Sequence, residues 1–219
     1  MQASTTRPES TSLFAAARRI IAQREAAPDE AEPVATSDIQ PGIERALKRN
    51  RLNAEAPSSI AEAAARAVAA VEGTVIAIDT IREYLEEALE LVTQAGATSD
   101  GEKRAMIADR YGELLSHVDT VATAARFEGL NLIDASRDCF TIDLPAAGQP
   151  RHEIGHVSLV TGARGLALRQ APTQFASDGE IAAARDALLA AATRLERATQ
   201  TFLNEASVLA PYLGARPRH

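Results

Sequence analysis

The sequence predicts a mainly α-helical protein: an elongated, antiparallel, three-helix, coiled-coil-like rod with a small β-hairpin between helices two and three. Three observations lead there. The chain has 219 residues and is 46% hydrophobic, yet only 4% of it is aromatic, it has no Trp, and much of its apolar share is alanine. Alanine-rich, aromatic-poor sequences suit long helices packed at close distance better than a thick mixed core. Next, three segments open with the capping-box pattern S-x-x-E, at Ser59 to Glu62, Ser99 to Glu102 and Ser177 to Glu180. In such a box the Ser side chain accepts from the N3 amide and the Glu reaches back to the N-cap amide. After each box, apolar residues recur in steps of three and four, the spacing of one helix face.

Residues 1–57 differ from the rest. Pro8, Pro28, Pro33, Pro41 and Pro57 punctuate a polar, charge-mixed stretch, expected to be a largely disordered tail with short amphipathic helices. Leu13 to Arg24 places Leu13, Phe14, Ala17, Ile20 and Ile21 on one side, with Arg18, Arg19 and Arg24 around them. Too short to be stable alone, it is a candidate partner helix that folds on binding. A second short helix is expected over Ile43 to Leu52, opened by Pro41 and basic at Arg45, Lys48, Arg49 and Arg51. A solvated charged face is the plainer reading of it, against a membrane-surface or partner role. Ala26 to Ser37 reads as linker.

Residues 58–213 form the expected rod, and 214–219 a disordered tail. The first long helix, about Ser59 to Ala95, carries Ala64, Val68, Val71, Val75, Ile78, Leu85, Leu89 and Val92 on a heptad seam interrupted at Arg82. Gly96 is a C-cap candidate. The second, about Asp100 to Arg126, repeats the seam at Ala108, Tyr111, Leu115, Val118, Ala122 and Ala125, flanked by Ile107, Leu114 and Val121. The short loop between them forces an antiparallel αα-hairpin. The third, about Asp178 to Leu209, aligns Ile181, Ala184, Leu188, Ala191, Leu195, Phe202 and Leu209. Between helices two and three, Cys139 to Leu144 and Ile154 to Val160 alternate as strands do, and Ala146 to Pro150 is turn chemistry. A β-hairpin over about 138–161 follows, and Gly162 to Leu168 returns the chain to the rod.

Composition excludes several classes of function. A formal charge of −7 argues against a nucleic-acid partner held through its phosphates, which needs a basic face. No run of about 18 apolar residues exists, so no transmembrane helix is expected, and Met1 to Ser12 lacks the apolar region of a cleaved secretory signal. The single Cys139 rules out an intrachain disulfide and a CxxC motif, and reads as a small apolar residue beside Phe140. No Ser-His-Asp constellation, phosphate-cradling Gly loop or paired-carboxylate pocket is evident. No cofactor is expected.

One motif raises the question of catalysis: His152-Glu153-Ile154-Gly155-His156 matches H-E-x-x-H. On a helix, His152 and His156 would share a face and bind Zn²⁺, with Glu153 as the general base. On a strand the two histidines stand roughly 13 Å apart and cannot share one ion. Gly148 to Pro150 and Gly162 leave little room for a helix, and no third ligand stands at the usual spacing. The only downstream carboxylate candidate, Glu180, already belongs to a capping box, and about forty residues are too few to wall a substrate cleft. The plainer reading is a strand whose polar residues face water. His117, on the exposed side of helix two, and the terminal His219 are read as solvated.

The end of helix two runs into Arg126-Phe127-Glu128-Gly129-Leu130-Asn131-Leu132-Ile133-Asp134. Phe127 is expected to close the helical stripe, Gly129 to supply the positive φ of a helix C-cap, and Leu130, Leu132 and Ile133 to turn back onto the core. With a helix before it and a strand-like run after it, this stretch resembles the aromatic-x-Gly-x-Asn-Leu-Leu signature of bacterial flagellins, especially those of alphaproteobacterial type; Arg126, Phe127, Gly129, Asn131, Leu132 and Ile133 carry it as structural positions. The resemblance covers about Ala64 to Leu209 and includes the order of parts. Ile78 to Arg82 and Leu89 to Val92 look like the family's stretch before the turn.

The resemblance implies the D1 region of a flagellin, which makes lateral and axial contacts in the filament wall. It implies a non-catalytic structural or interaction protein, placed in the flagellum or secreted through the flagellar export apparatus, with a cytoplasmic relative as the alternative. Flagellin, other flagellar proteins or an export chaperone are the implied partners. The paired terminal segments that form the family's D0 coiled coil are expected to be missing here. Some family members carry a zinc peptidase in their variable region, so a metallopeptidase using His152, Glu153 and His156 stands as the alternative function.

Overall fold

The computed structural model describes residues 60–142 and 151–214. The expected partner helix at Leu13, Phe14, Ala17, Ile20 and Ile21, the basic segment after Pro41, Ser59, the hairpin turn at Ala146 to Pro150, and His219 lie outside the described residues. Three helices dominate: α1 (Ile60–Ala97), α2 (Gly101–Ala124) and α3 (Asp178–Leu209), the last followed by a 3₁₀ turn at Ala210–Gly214. Between α2 and α3 the described residues form four short strands, β1 (Arg126–Phe127), β2 (Leu130–Asn131), β3 (Phe140–Ile142) and β4 (His152–Ile154). They make two two-stranded sheets, β1 with β2 and β3 with β4. The mainly helical class and the small strand pairing are those the sequence predicts.

The chain divides into two compact units. In the larger, which comprises Ala70–Thr141 and His152–Glu205, cross-helix contacts fix the helix directions. Arg110 of α2 meets Glu87 of α1 at 3.1 Å, and Arg104 Nε donates to the Ala95 carbonyl at 3.2 Å. Rising numbers on one helix meet falling numbers on the other, so α1 and α2 are antiparallel. Arg82 of α1 donates to Thr199 Oγ1 of α3 at 3.2 Å, while Gly96 lies beside Ile181, so α3 is antiparallel to α1 as well. The core holds Val71, Ile78, Ile81, Leu85 and Val92 from α1, Tyr111, Leu114, Leu115 and Val118 from α2, and Leu188, Leu195 and Phe202 from α3.

In the smaller unit the described residues are 60–69, 142, 151 and 206–214. Ala64, Ala65, Ala67 and Val68 of α1, Ile142, and Ala206 and Leu209 of α3 are buried there. Four alanines among these seven explain why the composition reads as close helix packing.

The seams need local correction. Val75 and Leu89 are only half-buried, with Thr74 and Ala88 in the core instead. Thr74 is accommodated because its hydroxyl donates to the Ala70 carbonyl at 2.8 Å. Ile81 takes the place that Arg82 denies to the seam. Ala184 and Ala125 are half-buried, and Ala198 and Ala206 extend the stripe of α3. Tyr111 is fully buried with its ring centroid 5.4 Å from that of Phe175. Its hydroxyl finds no hydrogen-bond partner among the described residues, and burial pushes its pKa up to about 12.

The helix ends depart further from expectation. Gly96 is inside α1 rather than a C-cap, with no positive φ. Helix α2 is capped by Asp100, not Ser99: its carboxylate accepts from the amides of Glu102 at 3.1 Å and Lys103 at 3.3 Å. A carboxylate at a helix N-terminus is favoured over a hydroxyl by the dipole as well as by the hydrogen bonds. At α3, Ser177 Oγ accepts from Glu180 N at 3.2 Å, but the Glu180 carboxylate accepts from Thr173 N and Thr173 Oγ1 instead of closing the box. Cys139 is exposed, not packed beside Phe140. His117 is exposed, as expected, with its ring against Tyr84.

Candidate functional site

Helix α2 ends because its chain leaves the helical path at Ala125, whose amide makes the last helical bond, to Val121 O at 3.1 Å. The carbonyls of Ala122 and Thr123 are then left without the amides that a longer helix would supply. Arg126 and Phe127 are not the end of the helix but β1, paired antiparallel with β2 as Arg126↔Asn131 and Phe127↔Leu130. Only Glu128 and Gly129 connect them, with φ of 50° and 86°. Two successive positive φ values make a type I′ turn, the connection whose twist suits a two-residue hairpin. Gly129 therefore supplies positive φ to a hairpin and not to a helix C-cap. Phe127 is half-buried against Leu130 and does not extend the α2 stripe.

Asn131 closes the helix that the hairpin leaves open. It is 1% exposed, and its carboxamide NH₂ donates to Ala122 O at 2.8 Å and Thr123 O at 3.1 Å. Its Oδ1 accepts from the amides of Ile133 and Asp134, both at 2.9 Å. One side chain thus satisfies two orphan carbonyls and shapes the following turn. That turn delivers Leu132 and Ile133 into the core. Arg126 reinforces the same helix end, donating from Nε to Thr123 O at 3.4 Å, where a cation meets the negative end of the dipole.

Asp134 stands next, 9% exposed by side chain. Its Oδ1 accepts from Ser136 N at 2.7 Å, with Arg126 4.0 Å from Oδ2 and His156 Nε2 3.8 Å from Oδ1. Burial pushes its carboxyl up, but hydrogen bonding from Ser136 and the charges of His156 and Arg126 outweigh it and hold the pKa below its ordinary value.

The H-E-x-x-H motif meets this segment directly. His152 and Glu153 lie in β4, extended and not helical. Regular pairing ends at Ile154, short of the expected strand to Val160. Beyond it, Val157 N donates to Leu132 O at 2.9 Å and Leu159 N to Ile133 O at 2.8 Å. One side advances by two residues while the other advances by one, so no regular ladder can continue.

The two histidines do not face water, as the sequence reading expects; each turns to its own carboxylate. His152 Nε2 donates to Glu205 of α3 at 2.8 Å, with the side chains 18% and 25% exposed. His156 Nε2 lies 3.8 Å from Asp134 Oδ1 and makes no hydrogen bond among the described residues. Glu153 is exposed. Among the described residues, no group of three or more His, Cys, Asp or Glu side chains is placed to hold a metal ion.

The return to α3 is pinned by Asp119 of α2, which accepts from Thr161 N and Thr161 Oγ1, both at 2.7 Å. Leu166 N then donates to Val160 O at 2.8 Å, and Gly165 makes the approach possible: a Cβ there would sit 1.9 Å from Val160 O.

At the other end of α2, Arg104 gathers three helix ends. It is 13% exposed by side chain and donates to the carbonyls of Ala95, Thr98, Phe175 and Ala176 and to Asp178 Oδ1 at 2.8 Å. The sequence does carry a signal for it. A cation in the first turn of α2 opposes that helix's own dipole, which points to a partner elsewhere, here the carbonyl end of α1. Asp119 and Glu205 carry no such signal.

No family model matches the sequence, and no curated protein sequence matches it. Among solved structures, a crystal structure of Bacillus cereus flagellin aligns over 71% of this chain and 88% of that one, with a TM-score of 0.60 and 18% identity. At that identity the likeness is one of fold. The chain has a flagellin-like fold.

Proposed function

We propose that this chain is a non-catalytic structural or interaction protein of the bacterial flagellum, related to the D1 region of alphaproteobacterial-type flagellins. It acts through helical packing with flagellin, another flagellar protein or an export chaperone, in the flagellum or on its export route. One observation carries this reading: in a flagellin-like fold, the stretch that resembles the flagellin signature is the hairpin that closes α2, with Asn131 bonded at all four positions of its carboxamide.

The heptad seams are buried in the chain's own core, so partner packing falls to apolar side chains left on the outer helix faces, Ile76, Met106 and Leu189. Residues 1–57 and 58–213 are proposed as tail and packing domain respectively, with Leu13 to Arg24 as the segment that folds on a partner. Co-sedimentation with purified flagellin filaments is the test, alongside capture of hook and export proteins by the full chain. The chain is expected to pellet with filaments or to retain one of those proteins. Failure to associate with any of them would sink the proposal.

A further inference from the structure

In the larger unit, the segment after the signature and the loop leading toward α3 enclose a cleft of about 620 Å³. Its lining includes Arg137 from the segment after the signature, His156 and Ser158, and Gly162, Ala163 and Arg164 from the loop leading toward α3. Among the described residues no carboxylate lines it, in a chain whose formal charge is −7. Asp134, 3.8 Å from His156, does not line the cleft and is already engaged by Ser136 and Arg126. Neither the Arg137 nor the Arg164 guanidinium has a hydrogen-bond or ion-pair partner among the described residues. Arg194 adds a further cation beside this wall, donating to the Arg164 carbonyl at 3.4 Å.

Backbone conformation sharpens the point. Arg137 has φ of 66°, a left-handed setting that is costly for any residue with a Cβ and natural for Gly or Asn. Strain of this kind gathers where a side chain is held for a purpose. The lining thus brings together two guanidiniums unpaired among the described residues and the Ser158 side chain, a set of donors with no carboxylate among the described lining to match them.

We propose that this cleft binds a small oxyanion carrying two or more negative charges. Each guanidinium offers a planar fork that matches a phosphate or carboxylate group, so a monoanion would leave one of them unmatched. The volume falls within the range of small-molecule sites, about 300 to 1,000 Å³, and suits a phosphate ester or a di- or tricarboxylate. The site is independent of the flagellar reading, because its chemistry rests on Arg137 and Arg164 alone.

Titration calorimetry of the full chain with pyrophosphate and, separately, citrate tests it. Saturable binding of one ion per chain is expected for at least one probe. Preference for pyrophosphate identifies phosphate chemistry, and preference for citrate identifies carboxylates. Arg137→Ala and Arg164→Ala, both at exposed positions, are each expected to weaken binding about tenfold or more, the loss of one charge-assisted pair. Gly162→Leu keeps both charges and adds bulk where a Cβ meets nothing within 4 Å; it is expected to abolish binding while the thermal transition stays in place. Absence of saturable binding by either probe, or undiminished binding in the folded Arg137→Ala/Arg164→Ala double variant, would overturn the proposal.

Discussion

Two neighbouring segments carry recognisable motifs, Arg126 to Asp134 and His152 to His156, and the fold uses them in contrasting ways. The first concentrates its polar chemistry in one side chain, Asn131, which is buried and bonded wholly to backbone. The second divides its chemistry between two histidines that turn to different carboxylates, Glu205 and Asp134. The first motif works because its spacing suits the element that carries it. The second has the letters of a zinc motif on the wrong element: i and i+4 meet on a helix, and this stretch begins as a strand. A motif brings its chemistry only with the backbone that converges its side chains.

Four substitutions can break or sharpen that contrast. Asn131→Ala is expected to cost most, about 3 kcal/mol or more, because it leaves the Ala122 carbonyl and the amides of Ile133 and Asp134 unsatisfied in a buried place and Thr123 O with only its long bond from Arg126. Urea unfolding followed by circular dichroism measures it, and a loss under about 1 kcal/mol would show that water replaces the carboxamide. His152→Ala removes one half-buried charge-assisted bond and leaves Glu205 unpaired, for a loss of about 1–2 kcal/mol in the same assay.

Gly129→Ala comes next, with a loss of about 1 kcal/mol, the strain of a Cβ at φ 86°. Thermal denaturation resolves it, and a neutral result would mean that the turn is not type I′. Glu153→Gln is smallest, within about 0.5 kcal/mol of the parent, since the side chain is exposed. Under the proposed function it also leaves co-sedimentation with flagellin filaments at the level of the parent chain.

What the sequence makes legible follows from how local the cause is. Helix α3 is read at its observed bounds, Asp178 to Leu209, because caps and apolar spacing are local signals. The buried pair Leu132 and Ile133 is legible for the same reason. The turn at Glu128 and Gly129 is only half so: positive φ is written in the glycine, but hairpin and helix C-cap both want it, and what decides is the pairing of Phe127 with Leu130. Asp100 displaces Ser99 as a cap one residue along, a choice that rests on where the chain enters the helix.

Partners that meet over long separations stay hidden, even where, as at Arg104, the sequence signals that a partner exists. Arg104 holds Phe175 and Asp178, Asp119 holds Thr161, and Glu205 holds His152. None of these pairs has a spacing that one helix or strand could generate, so periodicity cannot reveal them. The same blindness leaves the histidines of the second motif assigned to water.

That the histidines of the second motif are structural ties to separate carboxylates is tested most directly by zinc titration of the full, chelator-treated chain, with metal content measured after dialysis. The expected result is no stoichiometric zinc, with His152→Ala and His156→Ala indistinguishable from the parent. One tightly held zinc per chain, lost in both variants and accompanied by proteolysis that Glu153→Gln abolishes, would contradict it.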